Sequence, residues 1–63
     1  MPMVPAEYRE LAKESLRLAQ RAKSPDNRQT MLGIARQWLQ LAGPSVETQE
    51  LLAEIDALQG PVV

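Results

Sequence analysis

Few residues in this chain could do chemistry, and they do not form a recognisable catalytic set. The 63-residue sequence has neither histidine nor cysteine, which removes the commonest general base, the thiol nucleophile and the usual zinc ligands. It has no glycine-rich phosphate loop, and its carboxylates all fall on predicted solvent faces. The remaining candidates have no partner at a catalytic spacing: Tyr8, Ser15, Ser24, Thr30, Ser45, Thr48, Lys13 and Lys23. The sequence therefore predicts a protein that is not an enzyme and that carries no metal or cofactor.

A basic ridge recurs at every fourth position near the start of the chain, formed by Arg9, Lys13, Arg17 and Arg21. On a helix, such a ridge can follow a phosphate backbone or an acidic protein, or it can be a solvated face. The solvated face is favoured because the net charge is −1 and because Glu10 and Glu14 lie beside the ridge. An anionic partner on this ridge is the alternative, and among such partners nucleic acid is disfavoured.

The acidic residues of the C-terminal third have no basic neighbours in sequence. All seven basic residues precede Gly43, whereas four acids follow it: Glu47, Glu50, Glu54 and Asp56. A hard cation needs more oxygen ligands in a tighter loop than three glutamates on a helix provide. These acids favour solvation or salt bridges between chains over a weak cation site.

Three helices are predicted to position these groups, over residues 5–23, 25–42 and 46–59. The first has an apolar arc of about 160°. The second begins at the N-cap Ser24, which Pro25 follows at the first helical position, and ends at Gly43. Ser45 is the predicted N-cap of the third helix, whose apolar stripe covers about 120°. Because the first connection is short, the first two helices should be antiparallel neighbours.

The widest apolar face belongs to the second helix, where the residues from Met31 to Ala42 cover an arc of about 180°. The predicted core lies on one part of this arc and on the other two helices: Tyr8, Leu11, Leu16, Leu18, Met31, Ile34, Trp38, Leu41, Leu51, Ile55 and Leu58. Leu32 and Leu39 are left at its edge. Trp38 can anchor either the core or an interface, since tryptophan is enriched at binding hot spots. We expect the second helix to contact a partner through Leu32, Ala35, Trp38 and Leu39.

Two further features leave alternatives open. Gly33 lies inside the second helix, where glycine is either simply tolerated or marks the close approach of another backbone. The apolar C-terminus at 60–63 is expected to be a frayed tail, with capture of its carboxylate by another domain as the alternative. Residues 1–4 are expected to be disordered.

The first two helices resemble the helix-turn-helix pair of tetratricopeptide repeats and small uncharacterised bacterial helical-hairpin proteins. The resemblance rests on the stretch from Tyr8 to Ala12, the turn at 24–26, and Ala35 with the stretch from Trp38 to Ala42. It covers just over half of the chain, in a single copy that does not support a repeat array. It implies a helical hairpin and no activity.

The predicted fold class is all-α: an antiparallel helical hairpin plus a shorter third helix, forming a three-helix bundle that oligomerisation can complete. The predicted function is a small protein–protein interaction module that forms a homo-oligomer or binds a larger protein. The alternative is a small nucleic-acid-associated regulator that uses the basic ridge. The sequence shows no secretory signal and no apolar run of membrane-spanning length, which favours a cytoplasmic protein.

Overall fold

A computed structural model describes residues 4–59, and it contains three helices and no strand in that range. They are α1 (Pro5–Arg21), α2 (Pro25–Ala42) and α3 (Val46–Leu58), which confirms the all-α prediction. The second helix has its predicted bounds, while the first ends two residues and the third one residue earlier than expected. The predicted disordered N-terminus and apolar tail lie outside the described residues, except for Val4, whose carbonyl accepts the backbone N–H of Glu7 at 2.9 Å.

The turn between α1 and α2 follows from local chemistry. The Ser24 hydroxyl accepts the backbone N–H of Asn27 at 3.1 Å, as predicted for an N-cap. Ser24 also has the extended backbone that a residue before proline prefers, with ψ at 147°. A helix cannot pass through this residue, so the chain reverses within three residues and returns as α2.

The turn between α2 and α3 uses a different pair of signals. Gly43 has φ at +82°, a region that glycine enters without steric cost, and its N–H bonds to the Leu39 carbonyl at 3.2 Å. The Ser45 hydroxyl then accepts the backbone N–H of Thr48 at 3.1 Å. Both features confirm the predicted end of α2 and the predicted start of α3.

Small residues let α1 and α2 pack closely along their length. Ala12 and Ala19 of α1 and Ala35 of α2 are fully buried, and Leu32 and Leu39 fill the space beside them. Near one end of this seam the Tyr8 and Trp38 rings stack, with centroids 5.9 Å apart and planes inclined by 28°. Because Tyr8 is near the start of α1 and Trp38 near the end of α2, the two helices are antiparallel.

The third helix covers one side of this hairpin. Leu51 and Ile55 are buried against it in the same core as Leu16. The Arg36 guanidinium donates to the Asp56 carboxylate at 3.2 Å and to the Gln59 side-chain oxygen at 2.6 Å. The thinnest extent of the Cα positions is 13 Å, which accommodates two layers of helix axes about 8–10 Å apart and no third layer. Among residues 4–59, therefore, nothing covers the side of the hairpin opposite α3.

The predicted core is wrong in its orientation around α2. Leu18 and Leu41, expected inside, are 51% and 59% exposed, whereas Leu32 and Leu39, expected at the edge, are buried. Because the apolar arc of α2 is about 180° wide, either half of it could face the core. In the structure, Leu32 and Leu39 face α1 and pack beside its alanines. Of the other predicted core residues, three are buried (Leu16, Leu51 and Ile55) and six are partly buried: Tyr8, Leu11, Met31, Ile34, Trp38 and Leu58.

Candidate protein-interaction face

The four residues predicted to contact a partner do not form one surface. Leu32 and Ala35 are 0% exposed and Leu39 is 1% exposed, because they fill the seam between α1 and α2. The expectation that Leu32 and Leu39 lie at an exposed edge is therefore wrong, and Ala35 is buried with them. Trp38 is only partly buried and lies on the other half of the same apolar arc.

A second apolar surface lies on the side of the hairpin that α3 leaves bare. Ile34 is about 160° around α2 from Arg36, and Arg36 bonds to α3. On α1, Leu18 is about 160° from Leu16, which lines the groove towards Leu51. The residues of this surface, hereafter the open face, are Leu11, Leu18, Ile34, Trp38 and Leu41.

The members of the open face are close to one another in rotation. Ile34, Trp38 and Leu41 lie within about 60° around α2, and Leu11 and Leu18 within about 20° around α1. Leu18 and Leu41 expose more than half of their surface. Along the hairpin they are spread out, because the register set by Tyr8 and Trp38 separates Leu18 from Leu41 by about 20 Å. They therefore form an apolar face along the hairpin and not a single compact patch.

The two edges of the open face differ in charge. Three glutamates follow the outer edge of α1, and Glu7, Glu10 and Glu14 surround Leu11 in a shallow groove. The outer edge of α2 has one charged residue, Asp26, at its N-terminal end, and Thr30 and Gln37 are the exposed polar residues along the rest of it. A partner of the open face therefore meets negative charge at one edge and mainly neutral hydrogen-bonding groups at the other.

The basic ridge is only partly available to an anionic partner. Lys13 lies 3.5 Å from the Glu10 carboxylate, and Arg17 forms an ion pair with Glu14. Arg9 is partly buried and near the N-terminus of α3. Arg21 is exposed at the end of α1. Two of the four positive charges thus have an acidic neighbour one helical turn away, which lowers the potential that an anion would meet.

The acids of α3 do not gather into a metal site. Among residues 4–59, no group of three or more acidic side chains is placed to hold a cation. The pKa of Glu47 is lowered, mainly by a hydrogen bond from its own backbone N–H and further by the Ser45 hydroxyl and the positive charge of Arg9. Glu47 therefore acts as a charged group of the α3 N-terminus, where the helix dipole favours a negative charge.

The serine and threonine hydroxyls that were candidate nucleophiles have structural partners. Ser15 donates to the Leu11 carbonyl at 3.1 Å, and Thr30 donates to the Asp26 carbonyl at 3.0 Å. Ser45 caps α3 and also donates to the Thr48 hydroxyl at 3.0 Å. These bonds account for the hydroxyls as elements of the helices.

Gly33 shows no close approach of another backbone. A Cβ built at this position would meet no atom within 4 Å apart from its own helix and chain neighbours. The geometry therefore supports the interpretation that glycine is simply tolerated at position 33.

Sequence reasoning missed Leu18, Ile34 and Leu41 as surface residues because it placed them in the core. A signal was present in α1, where Ala12, Ser15 and Ala19 form a stripe of small residues on one face. A helix that presents small residues to its neighbour brings that neighbour close, so the larger residues beside the stripe are pushed to the rim.

None of the helices within residues 4–59 has both the length and the apolar character that crossing a membrane requires. Comparison of the chain with models of protein families, with the sequences of characterised proteins and with solved structures found no match. The resemblance of the first two helices to tetratricopeptide-like hairpins stays a prediction.

Proposed function

We propose that this chain is a small, non-enzymatic, cytoplasmic interaction module that binds protein helices through the open face. One observation carries the proposal: Leu18 and Leu41 are more than half exposed on the side of the hairpin that α3 does not cover, and Trp38 lies between them in height along the helices. Trp38 supplies a large apolar anchor whose ring is held in place by stacking on Tyr8. A rigid aromatic anchor loses little conformational freedom when a partner packs on it.

The partner is proposed to be helical because of the shape of the surface. Two antiparallel helices side by side form a shallow groove between them, and an amphipathic helix fits such a groove with residues spaced three and four apart. Both a second copy of this chain and a helix of a larger protein satisfy this description. The nucleic-acid alternative has less support, because two of the four basic residues of the ridge, Lys13 and Arg17, pair with Glu10 and Glu14.

A pair of matched variants tests the proposal. Leu18→Glu combined with Leu41→Glu places two charges on the open face at positions already exposed, so the fold should survive. Val46→Glu is the control, because Val46 is 71% exposed but lies on α3, away from the open face. Circular dichroism should show the same helical content for all three proteins.

Binding is then measured in two ways. Self-association is measured as molecular mass in solution. Binding to another protein is measured by capturing partners, identifying them by mass spectrometry and testing each one again with purified components. We expect the double variant to lose self-association, or binding to a purified partner, at least tenfold, while Val46→Glu keeps it. The proposal fails if the wild-type chain shows neither activity, or if the double variant keeps them at wild-type strength.

A further inference from the structure

We propose that the open face is covered by the open face of a second copy, with α1 of each copy lying against α2 of the other around a twofold axis parallel to the helices. The four helices of the two hairpins then form one bundle, with an α3 on each outer side. This inference rests on the proposed function, since it names the partner of the same surface. Two properties of the face, its apolar register and its charge pattern, select this arrangement.

The register of the hairpin matches the apolar residues of one copy with those of the other. Tyr8 stacks on Trp38, so residues of α1 and α2 whose numbers add up to about 46 lie at the same height along the hairpin. A twofold axis parallel to the helices preserves height. Leu11 of one copy then lies opposite Ile34 of the second copy, and Tyr8 lies level with Trp38 of the second copy. Apolar side chains of the two copies thus meet in the middle of the face, whereas Leu18 at one end lies level with Arg28 of the second copy.

The charge pattern also favours α1 against α2. In this arrangement the acidic edge of α1 lies beside the mainly neutral edge of α2 in the second copy, with Glu14 close to the height of Thr30 and Glu7 close to that of Gln37. Carboxylates opposite hydroxyl and amide groups can accept hydrogen bonds. The arrangement therefore contains no pair of like charges along either seam.

The other twofold arrangement is worse on both counts. An axis perpendicular to the helices places α1 against α1 of the second copy. Centred on the open face, near Leu11, it brings Glu7 within one residue of facing Glu14 of the second copy, twice. Like charges brought together at an interface oppose association. Moving the axis so that Glu7 faces Arg21 relieves the repulsion but leaves Trp38 and Leu41 without apolar neighbours.

The size of the face suits a dimer that dissociates on dilution. The 18-residue α2 is about 27 Å long, and two helices side by side are about 20 Å wide, so each copy contributes roughly 500 Å². Two copies bury roughly 1,000 Å² in total, which is the lower limit for a specific protein–protein interface. We therefore expect a concentration-dependent monomer–dimer equilibrium.

The first part of the test measures mass. Light scattering on the full chain, from about 1 µM to about 1 mM, covers binding free energies from about −8 to −4 kcal/mol. We expect the mass to rise from the 7.0 kDa of one chain to twice that value, and Leu18→Glu/Leu41→Glu to remain monomeric throughout. A wild-type chain that stays monomeric overturns the second copy as partner. Loss of binding to another purified protein in the double variant would still support the proposed function, so the two failures are distinguishable.

The second part tests the arrangement, and it uses the absence of native cysteine. Single variants Glu14→Cys and Thr30→Cys are mixed and oxidised, and we expect a disulfide-linked heterodimer, because these edges meet only between copies. The matched control is a mixture of Glu7→Cys and Glu14→Cys, which should give little linked product. Efficient linkage in the control, with little in the first mixture, would overturn the packing of α1 against α2.

Discussion

The two sides of the α1–α2 hairpin carry apolar residues of similar size, yet within the described part of the chain only one side is covered. On the covered side, Leu51 and Ile55 of α3 complete a core with Leu16, and Arg36 bonds across to Asp56. On the open face, Leu18 and Leu41 remain more than half exposed. The wide apolar arc of α2 therefore has two halves: one packs in the chain's own core, and the other lies at the surface.

The largest effect should come from breaking the seam and comparing it with the open face on the same helix. Leu39→Ala removes a fully buried side chain and should lower the free energy of unfolding by about 3 kcal/mol. Leu41→Ala, two residues away but exposed, should cost less than about 0.5 kcal/mol at the lowest protein concentration. Urea denaturation followed by circular dichroism measures both.

The concentration dependence of the Leu41→Ala effect sharpens the same comparison. Association stabilises the folded state by mass action, so the wild-type advantage over Leu41→Ala should grow as the protein concentration rises. Equal losses for Leu39→Ala and Leu41→Ala at low concentration would contradict the division of α2 into two halves.

A smaller effect is expected from loosening the covered side. Ile55→Ala removes the fully buried anchor of α3 and should cost about 2–3 kcal/mol. Ile55 is not part of the seam between α1 and α2 that Ala12, Ala19 and Ala35 form (the alanine seam). We therefore expect hydrogen exchange to accelerate in α3 well before it does in α2. Uniform acceleration across all three helices would show that the hairpin does not hold together apart from α3.

The ion pair on the covered side should contribute less again. Arg36 and Asp56 have side chains that are 39% and 74% exposed, and exposed pairs of this kind are worth less than about 1 kcal/mol. A double-mutant cycle with Arg36→Gln and Asp56→Asn measures the coupling directly. A coupling above about 2 kcal/mol would mean that this bridge, rather than Leu51 and Ile55, holds α3 in place.

The smallest effect concerns pH. The pKa of Glu47 is lowered in the folded chain, so the ionised form adds stability above the ordinary carboxyl range, and that stability is lost as the pH falls through the lowered pKa. Glu47→Gln should therefore have a lower melting temperature than wild type at pH 6 and approach it at about pH 3. A difference that stays constant over this range would show that the charge of Glu47 contributes nothing.

The turns could be predicted from sequence because their chemistry is local. Ser24 before Pro25, and Ser45 after Gly43, specify caps and backbone angles that depend on a few neighbouring residues. The three-helix fold follows from these turns and from the apolar periodicity between them.

The orientation of α2 could not be predicted in the same way. Its apolar arc is about 180° wide, and periodicity alone favours neither half. Which half is buried depends on the residues of α1 that face α2. The small residues Ala12, Ser15 and Ala19 leave room for Leu32 and Leu39, and this fit is a property of the packed pair of helices, so the sequence of α2 alone does not indicate it. The candidate site inherited this error, because a residue assigned to the core cannot be proposed as a surface.

The alanine seam also limits how the sequence can change. Ala12, Ala19 and Ala35 have no exposed surface, so any larger side chain there must push the helices apart. In a saturation library scored for folding, these three positions should accept little beyond glycine and serine, while Leu18 and Leu41 should accept many residue types. In a second selection, for binding, Leu18 and Leu41 should no longer accept many residue types. The two selections together then separate the residues that the fold requires from those that binding requires.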